Sequence, residues 1–281
     1  MSSKNALMRF GCAVVHNVSR SDVLQLARDY LDGSRSRRAV IAAINAQFVY
    51  LANHSSRFAG TLKRADLSVA DEMSLVIGSR LLGDPLPERI AGVDLAVDLC
   101  RLASELGRSV YFLGGTQGAA EGTASLLRMR YRNLRIAGID CPPLGFDADP
   151  AAVSGVVSRI QAAKPDVLLA CFGAPKQEYW IEDNLAALPC KLVVGLGCTF
   201  DVLSGKVLRA PQWMQRSGLE WLYRLCSDPA RLWERYLIGN SYFIWLVLSQ
   251  VFARIFYVNR EGVAAKAPIR PTGNPEAQMK V

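Results

Sequence analysis

The stretch of sequence that decides the fold is Pro165-Asp166-Val167-Leu168-Leu169-Ala170-Cys171-Phe172-Gly173-Ala174-Pro175-Lys176-Gln177-Glu178-Tyr179-Trp180. Its residues 167–172 are a continuous apolar run, which is typical of a strand in a parallel sheet that is buried on both faces. Gly173 and Pro175 predict a turn after this strand, and Lys176 then opens a predicted helix. Open α/β sheets bind anionic ligands where strands end and helices begin, so a ligand site is predicted at this edge. An ordinary solvated turn is the alternative.

The same alternation of apolar runs and helical patterns extends over most of the chain. Further strands are predicted at residues 10–15, 38–44, within 64–72, and at 109–113, 134–139 and 191–195. Helical patterns follow them, for example at 73–82 and 119–130, and the run at 10–15 with its following helix is predicted to start the sheet. The sequence therefore predicts an α/β fold with a Rossmann-like, mostly parallel sheet and flanking helices.

The chain divides by composition into three predicted parts. Residues 1–204 are predicted to form the Rossmann-like catalytic core, and residues 205–260 a basic, aromatic-rich helical appendage. The appendage has eight basic and three acidic residues, so it carries +5 of the net charge of +8, and it holds four of the five Trp. Residues 261–281 contain three Pro and little apolar mass, which predicts a disordered tail.

The appendage is predicted to associate with a membrane. Basic residues mixed with aromatics favour an anionic membrane surface, with a nucleic-acid-binding protein as the less favoured alternative. The apolar run at 242–258 is interrupted by polar residues and falls short of the ~20 residues that span a bilayer, so it is expected to lie on the membrane. Packing on the core or on another subunit is the alternative. The residues predicted to face lipid are Phe243, Ile244, Val247, Leu248, Val251, Phe252 and Ile255, with Arg231, Arg235 and Arg254 meeting anionic headgroups.

Composition argues against several classes of site. The seven Cys form no C-x-x-C pair and the two His form no cluster, which indicates reduced thiols and no His-based metal site or triad. No secretory signal pattern precedes the first strand. Asp147-Ala148-Asp149 resembles the D-x-D metal motif of many glycosyltransferases, but Pro150 follows it, so Asp149 is interpreted as a helix N-cap. No metal is expected in the site.

Two polar residues follow predicted strands at the ligand edge. Asn45 stands at a junction between a strand and a helix, and Asp71 ends the apolar run of its strand among small residues. Asp71 is the carboxylate expected to act as a general base, because a hydroxyl nucleophile needs a proton acceptor within hydrogen-bond reach at pH 7. The alternative is that Asp71 caps the helix that starts at Glu72.

A glycine-rich turn, residues 114–118, precedes another predicted helix. It would let the backbone approach a phosphate, and Gly114 and Gly115 are therefore candidate binding residues, against a plain tight turn. The turn is not G-x-G-x-x-G and no ribose-binding acid is obvious after the next strand, so a nicotinamide-dependent oxidoreductase is only the alternative enzyme class.

Several motifs, in order from about residue 10 to residue 252, resemble the WecG/TagA/CpsF family of bacterial glycosyltransferases. They are Asn45-Ala46-Gln47, Ala70-Asp71, Leu86-Pro87-Glu88-Arg89-Ile90-Ala91-Gly92, Phe112-Leu113-Gly114-Gly115, Phe172-Gly173-Ala174-Pro175-Lys176-Gln177-Glu178, Phe200-Asp201 and Arg209-Ala210-Pro211 through Gly218-Leu219-Glu220-Trp221. The resemblance implies an inverting enzyme that moves a hexose or N-acetylhexosamine from a UDP-sugar to a polyprenyl-pyrophosphate-linked sugar in surface polysaccharide synthesis. It implies a peripheral location on the cytoplasmic face of the inner membrane, with no cofactor.

The resemblance also implies roles for individual residues. Asp71 falls where the family has its proposed general base, and Asn45 is taken with it as catalytic. The nucleotide-contacting motif falls on Lys176, Gln177 and Glu178, and an appendage that closes over the site carries the basic residues. The full set of predicted substrate-binding residues is Arg89, Gly114, Gly115, Lys176, Gln177, Glu178, Arg209, Arg216 and Arg224, with the last three and Lys176 as candidates for holding the diphosphate.

Two positions depart from the family pattern near the expected sugars. Ala43 stands where the family often has Thr, and Glu72 follows Asp71 where the family has Gly. The identity of the transferred sugar, the acceptor glycan and the oligomeric state are therefore left open.

Overall fold

The computed structural model of the chain describes residues 7–264, without the side chains of Arg231 and of residues 257–264. The strands are β1 Leu7–Phe10, β2 Ala13–His16, β3 Ala39–Ile44, β4 Leu67–Ala70, β5 Ser109–Gly114, β6 Arg135–Asp140, β7 Val167–Cys171 and β8 Leu192–Gly195. The helices are α1 Arg20–Leu31, α2 Ala46–His54, α3 Ser56–Arg64, α4 Met73–Leu81, α5 Gly92–Glu105, α6 Ala119–Arg130, α7 Pro150–Ala163, α8 Lys176–Asn184, α9 Thr199–Leu203, α10 Gln212–Ser217, α11 Glu220–Ser227 and α12 Pro229–Ala264. The predicted tail overlaps the described residues only at 261–264, and residues 265–281 lie outside them.

Strands β3 to β8 form a parallel sheet in the order β4-β3-β8-β7-β5-β6. The strand predicted first, β7, lies near the centre, and all five of its residues are buried. Leu169 packs with α1, α5 and α6 on one face, and Leu168 packs with α7 and α8 on the other. Burial on both faces explains the unbroken apolar run, and the predicted Rossmann-like α/β class is confirmed.

The N-terminal run does not start the sheet, so that prediction is wrong. Gly11 breaks the run with a positive φ of 63°, and β1 and β2 pair with each other as an antiparallel hairpin. Phe10 and Val15 pack with α2 and α3 beside the edge strand β4, and the ring of His16 accepts a hydrogen bond from Ser68 N–H at 3.0 Å. A Gly in the middle of a single long strand would weaken that strand, so the run folds into two short ones. The hairpin that they form shields the open edge of the sheet at β4.

Helix α12 packs one side against the core. Phe243 and Val247 contact the place where a side chain on Gly78 of α4 would stand, and the rings of Phe243 and Phe10 lie 5.2 Å apart. The opposite side exposes a broad apolar surface, hereafter the α12 face: Trp233, Leu237, Ile238, Ile244, Trp245, Leu248, Phe252, Ile255 and Phe256.

The predicted lipid-facing set is therefore divided between two sides of α12. Phe243 and Val247 are buried against the core, whereas Ile244, Leu248 and Phe252 are exposed. The reason is geometric, because residues at i and i+1 of a helix point about 100° apart. The predicted basic contacts also change. Arg254 pairs with Asp84 at 2.6 Å, Arg235 lines the site cavity described below, and the side chain of Arg231 lies outside the description.

The helix is also longer than the apolar run indicated. By length and composition alone, residues Leu232–Phe256 are long and apolar enough to cross a membrane, with 28% of the most apolar window buried inside the protein. The prediction that this segment is too short to span a bilayer is therefore wrong for the folded helix. Its buried side argues against crossing, because crossing would separate Phe243 and Val247 from the core.

Candidate active site

A cavity of about 900 Å³ opens at the carboxyl edge of the parallel sheet. The residues that follow all six of its strands contribute to the lining, as expected for an open α/β sheet. Seven of the predicted site residues meet there, although they come from separate parts of the sequence: Asn45, Asp71, Gly114, Gly115, Lys176, Gln177 and Arg224.

Asp71 is positioned by a backbone contact across the edge of the sheet. Its Oδ1 accepts a hydrogen bond from Gly92 N–H, at the start of α5, over 2.7 Å. It does not cap α4, whose N-cap is Glu72. Burial raises the pKa of the Asp71 carboxyl above its usual value, although the Gly92 N–H and the guanidinium groups of Arg224 and Arg89 act in the opposite direction. A raised pKa makes this carboxylate a better proton acceptor near neutral pH.

Asp71 borders two cavities. Besides the large one, it lines a second cavity of about 30 Å³ that is enclosed between α4, α10 and α11 and is also lined by Glu72, Met73 and Trp221. Burial together with the charge of Asp71 raises the pKa of Glu72, whose Oε2 accepts from Ala46 N–H at 3.3 Å. Glu72 thus places a second carboxylate directly beside the candidate base.

Asn45 has both a structural and a site-facing role. It is the N-cap of α2, and its Oδ1 accepts from Phe48 N–H at 3.1 Å. Its Nδ2 has no hydrogen-bond partner among residues 7–264, and the side chain lines the large cavity. An amide nitrogen is a donor, so Asn45 is able to donate to a ligand oxygen while its oxygen holds the helix.

The Lys-Gln-Glu triplet separates into three different positions. Lys176 lines the cavity, is half exposed, and its Nζ lies 3.9 Å from Asp147. Gln177 is buried, and its Oε1 accepts from the N–H groups of Phe172, Gly173 and Gly197 at 3.2, 3.4 and 3.1 Å. The Gln177 amide therefore joins the loops that follow β7 and β8.

Glu178 lies behind this amide and not on the cavity wall. Its Oε1 accepts from Gln177 Nε2 at 2.7 Å, while its buried Oε2 has no partner in the described part of the chain. Burial raises the pKa of Glu178 to about 7. Gly195 makes room for both side chains, because a Cβ there would lie 2.4 Å from Gln177 Nε2.

The glycine-rich turn is already engaged by protein atoms. Gly115 N–H donates to Cys171 O at 2.6 Å, and Thr116 donates from its N–H and its hydroxyl to Asp201 Oδ1 at 3.1 and 2.5 Å. Gly114 is required by a close approach, since a Cβ there would stand 2.6 Å from Cys171 O. The turn lines the cavity, but the Gly115 N–H is bound to a backbone carbonyl and the two Thr116 donors to a carboxylate, which argues against a phosphate at those donors.

Two appendage arginines reach the cavity. Arg224 lines both cavities, and it donates to Glu220 Oε1 at 2.9 Å and to Cys198 Sγ at 3.5 Å. Arg235, from α12, also lines the large cavity, and its buried Nε has no hydrogen-bond partner among the described residues. A buried guanidinium donor without a partner indicates the position of an anionic ligand.

The other predicted arginines lie elsewhere. Arg209 forms two bonds of 2.7 Å with Asp94, so it ties the appendage to the start of α5. Arg216 is exposed and lines neither cavity. Arg89 lines the small cavity, where it donates to Asp71 O at 2.9 Å and pairs with Glu220 at 2.7 Å. The structure thus brings Arg89 close to Asp71 but does not bring Arg209 or Arg216 to the large cavity.

The interpretation of Asp149 as a cap is confirmed. Its Oδ1 accepts from Ala151 N–H at 2.9 Å, and Pro150 is the first residue of α7. Within residues 7–264, no group of three or more His, Cys, Asp or Glu side chains is arranged to hold a metal.

Sequence reasoning did not identify some of the residues that line the site. Arg235 was assigned to lipid, and Asp201 was noted only as part of a shared motif. The signal for Arg235 lies in its spacing, since it stands four residues before Gly239, whose position packs against Gln47 of α2, and residues four apart share one side of a helix.

Known proteins are similar to this chain over most of its length. A model of the Glycosyl transferase WecG/TagA/CpsF family matches residues 8–256. A protein of Bacillus spizizenii is 35% identical over 222 residues, which cover 79% of this chain and 83% of that protein. A protein of Bacillus subtilis is 31% identical over 236 residues, covering 84% and 89%. Both relatives carry the name N-acetylglucosaminyldiphosphoundecaprenol N-acetyl-beta-D-mannosaminyltransferase.

Proposed function

The chain belongs to the WecG/TagA/CpsF glycosyltransferase family, and on that premise we propose that it transfers a hexose or N-acetylhexosamine from a UDP-sugar to a sugar linked to polyprenyl diphosphate. The observation that carries this proposal is the meeting of Asp71 with Arg224 and Arg235 at one cavity of the sheet edge. A base and a cluster of cations are what a direct displacement of a nucleoside diphosphate requires.

The acceptor hydroxyl attacks the anomeric carbon of the donor. Asp71 takes the hydroxyl proton as the new bond forms, and its raised pKa suits it to hold that proton. One displacement with no covalent enzyme intermediate inverts the anomeric centre, so the product has the opposite configuration to the donor. Asn45 Nδ2 supports the step by donating to a sugar oxygen.

The leaving diphosphate gains negative charge as the glycosidic bond breaks. Arg224, Arg235 and Lys176 all line the cavity and supply positive charge without reorganising in the transition state. We propose that these cations serve where other enzymes use a metal, so activity should persist in the presence of a chelator.

The acceptor class follows from the names of the two relatives, both of which use a sugar attached to diphosphoundecaprenol. Such an acceptor resides in the membrane, which the α12 face would meet while α12 stays packed on the core. We propose a peripheral position on the cytoplasmic face of the bacterial membrane and a role in surface polysaccharide synthesis.

The donor sugar is tested directly. The purified chain is incubated with N-acetylglucosaminyl-diphospho-undecaprenol and, in turn, UDP-glucose, UDP-N-acetylglucosamine and UDP-N-acetylmannosamine, and the product linkage is read by NMR. One donor should be used, with inversion of its anomeric configuration. Transfer with retention, or no UDP binding in calorimetry, would reject the proposal. Because Glu72 places a second carboxylate beside the base, the panel includes sugars with and without an N-acetyl group.

A further inference from the structure

One face of α4 carries an apolar stripe that runs from the candidate base to the protein surface. Met73, Ile77 and Leu81 recur every four residues, so they stand on one side of the helix. Met73 is partly buried, Ile77 is 41% exposed and Leu81 is 60% exposed. These three residues are called the α4 stripe, and their Cα atoms span about 12 Å.

The inner end of the α4 stripe touches the catalytic region. Met73 lines the small cavity together with Asp71, and α4 begins two residues after Asp71. Gly218, with a φ of 79°, covers this end, since a Cβ on it would lie 3.6 Å from Ile77 and 3.7 Å from Met73. Gly218 therefore packs on the inner end of the stripe, whereas Ile77 and Leu81 remain exposed toward its outer end.

The outer part of the α4 stripe is flanked by cations. Arg80 is exposed on α4 next to Leu81, and Arg216 is exposed at the end of α10, two residues before Gly218. Neither has an ion pair with another residue in the described part of the chain. An exposed apolar stripe with two unpaired guanidinium groups near it matches a ligand that has a diphosphate followed by a hydrocarbon chain.

We infer that the α4 stripe is the binding path of the lipid-linked acceptor, an assignment that rests on the proposed function. The acceptor sugar lies at Asp71, its diphosphate lies beside Ile77 between Arg80 and Arg216, and its first isoprene units cover the outer side of Ile77 and then Leu81. From Leu81 the polyprenyl chain continues to the membrane that the α12 face meets. Arg216 thus serves the acceptor diphosphate, whereas Arg224 and Arg235 serve the donor.

The path is closed at its inner end in this structure. The cavity beside Met73 has about 30 Å³, which holds a water molecule but no sugar. Glu220 fastens this end, because it pairs with Arg89 of the core at 2.7 Å and with Arg224 at 2.9 Å. Binding of the acceptor therefore requires the segment from Gly218 to Glu220 to move away from α4.

The test compares two acceptor probes that differ only in their lipid. One is N-acetylglucosaminyl-diphospho-undecaprenol, and the other carries a butyl group on the same diphosphate. The double variant Ile77→Asn with Leu81→Asn should lower kcat/KM for the undecaprenyl probe by about tenfold or more, because two apolar contacts to the chain are lost. The loss on the butyl probe should be much smaller. The matched control is Leu126→Asn with Met129→Asn, two exposed apolar residues on α6, which should change neither value.

Three results would overturn the inference. A wild-type chain that transfers to neither probe removes the proposed function and the path with it. A wild-type chain that works on both, with the double variant equally reduced or unchanged on both, removes the path alone. A double variant that no longer floats with anionic vesicles free of acceptor assigns the α4 stripe to the bulk membrane. Melting temperature and UDP affinity establish that the double variant is folded, and Leu81→Asn alone provides a milder second variant.

Discussion

The surroundings of Glu178 predict how much the stability of the protein depends on pH. Its carboxyl is buried, one oxygen is bound by Gln177 and the other has no partner in the described residues, and burial raises its pKa to about 7 from an ordinary 4.5. Glu178→Gln keeps an oxygen that can accept from Gln177 Nε2 and places an amide where the proton would be. The variant therefore mimics the protonated side chain at every pH.

The magnitude follows from linkage between protonation and folding. The folded state binds the Glu178 proton more tightly than the unfolded state, so this contribution to stability is complete below about pH 4.5 and is lost as pH rises to about 7. A difference of about 2.5 pKa units corresponds to about 3 kcal/mol, an upper value because a buried site can relax. The free energy of unfolding of the wild type should therefore fall relative to Glu178→Gln between pH 5 and pH 8.

The assay is urea unfolding of both proteins at several pH values in that range. Other titrating groups are common to both, so the difference between the two free energies isolates Glu178. Glu121→Gln, at an exposed position of α6, controls for the loss of a surface carboxylate. If the difference in free energy of unfolding between wild type and Glu178→Gln stays constant from pH 5 to pH 8, the pKa of Glu178 is not raised by burial.

Three further variants test the site and the membrane surface. Asp71→Asn keeps an acceptor for Gly92 N–H, so UDP affinity and melting temperature should persist while kcat falls by roughly two to four orders of magnitude; normal turnover would contradict its role as base. Lys176→Ala should weaken UDP binding several-fold in calorimetry, since one charge-assisted contact is lost, and an unchanged affinity would place the diphosphate with the arginines alone. Phe252→Glu on the α12 face should reduce flotation with anionic vesicles, whereas Met129→Glu on α6 should not; equal flotation would assign the α12 face to a protein contact. A single surface substitution also leaves buried Phe243 and Val247 in the core, which a truncation of α12 would remove.

The sequence by itself determined the framework of the protein. Strands buried on both faces need unbroken apolar runs, so β7 and the parallel sheet could be recognised from local composition. Polar residues directly after such runs must meet at the carboxyl edge, because parallel strands all end there, and this is why Asn45 and Asp71 were placed correctly. The capping role of Asp149 depends on neighbouring residues alone and was equally accessible.

Only the tertiary structure decided what the long-range partners do. Whether an appendage arginine reaches the cavity depends on the rotation of its helix against the core, and this selects Arg235 and leaves Arg216 at the surface. The Gln177 amide oxygen accepts hydrogen bonds from N–H groups of two loops that are distant in sequence from each other. The residues around Gln177 in the sequence could not show that it joins these loops. The α12 helix is apolar on nearly all sides, and hydrophobic periodicity cannot tell which side packs on a protein and which meets solvent or lipid. That choice is made by the shape of the core, where Gly78 admits Phe243 and Val247.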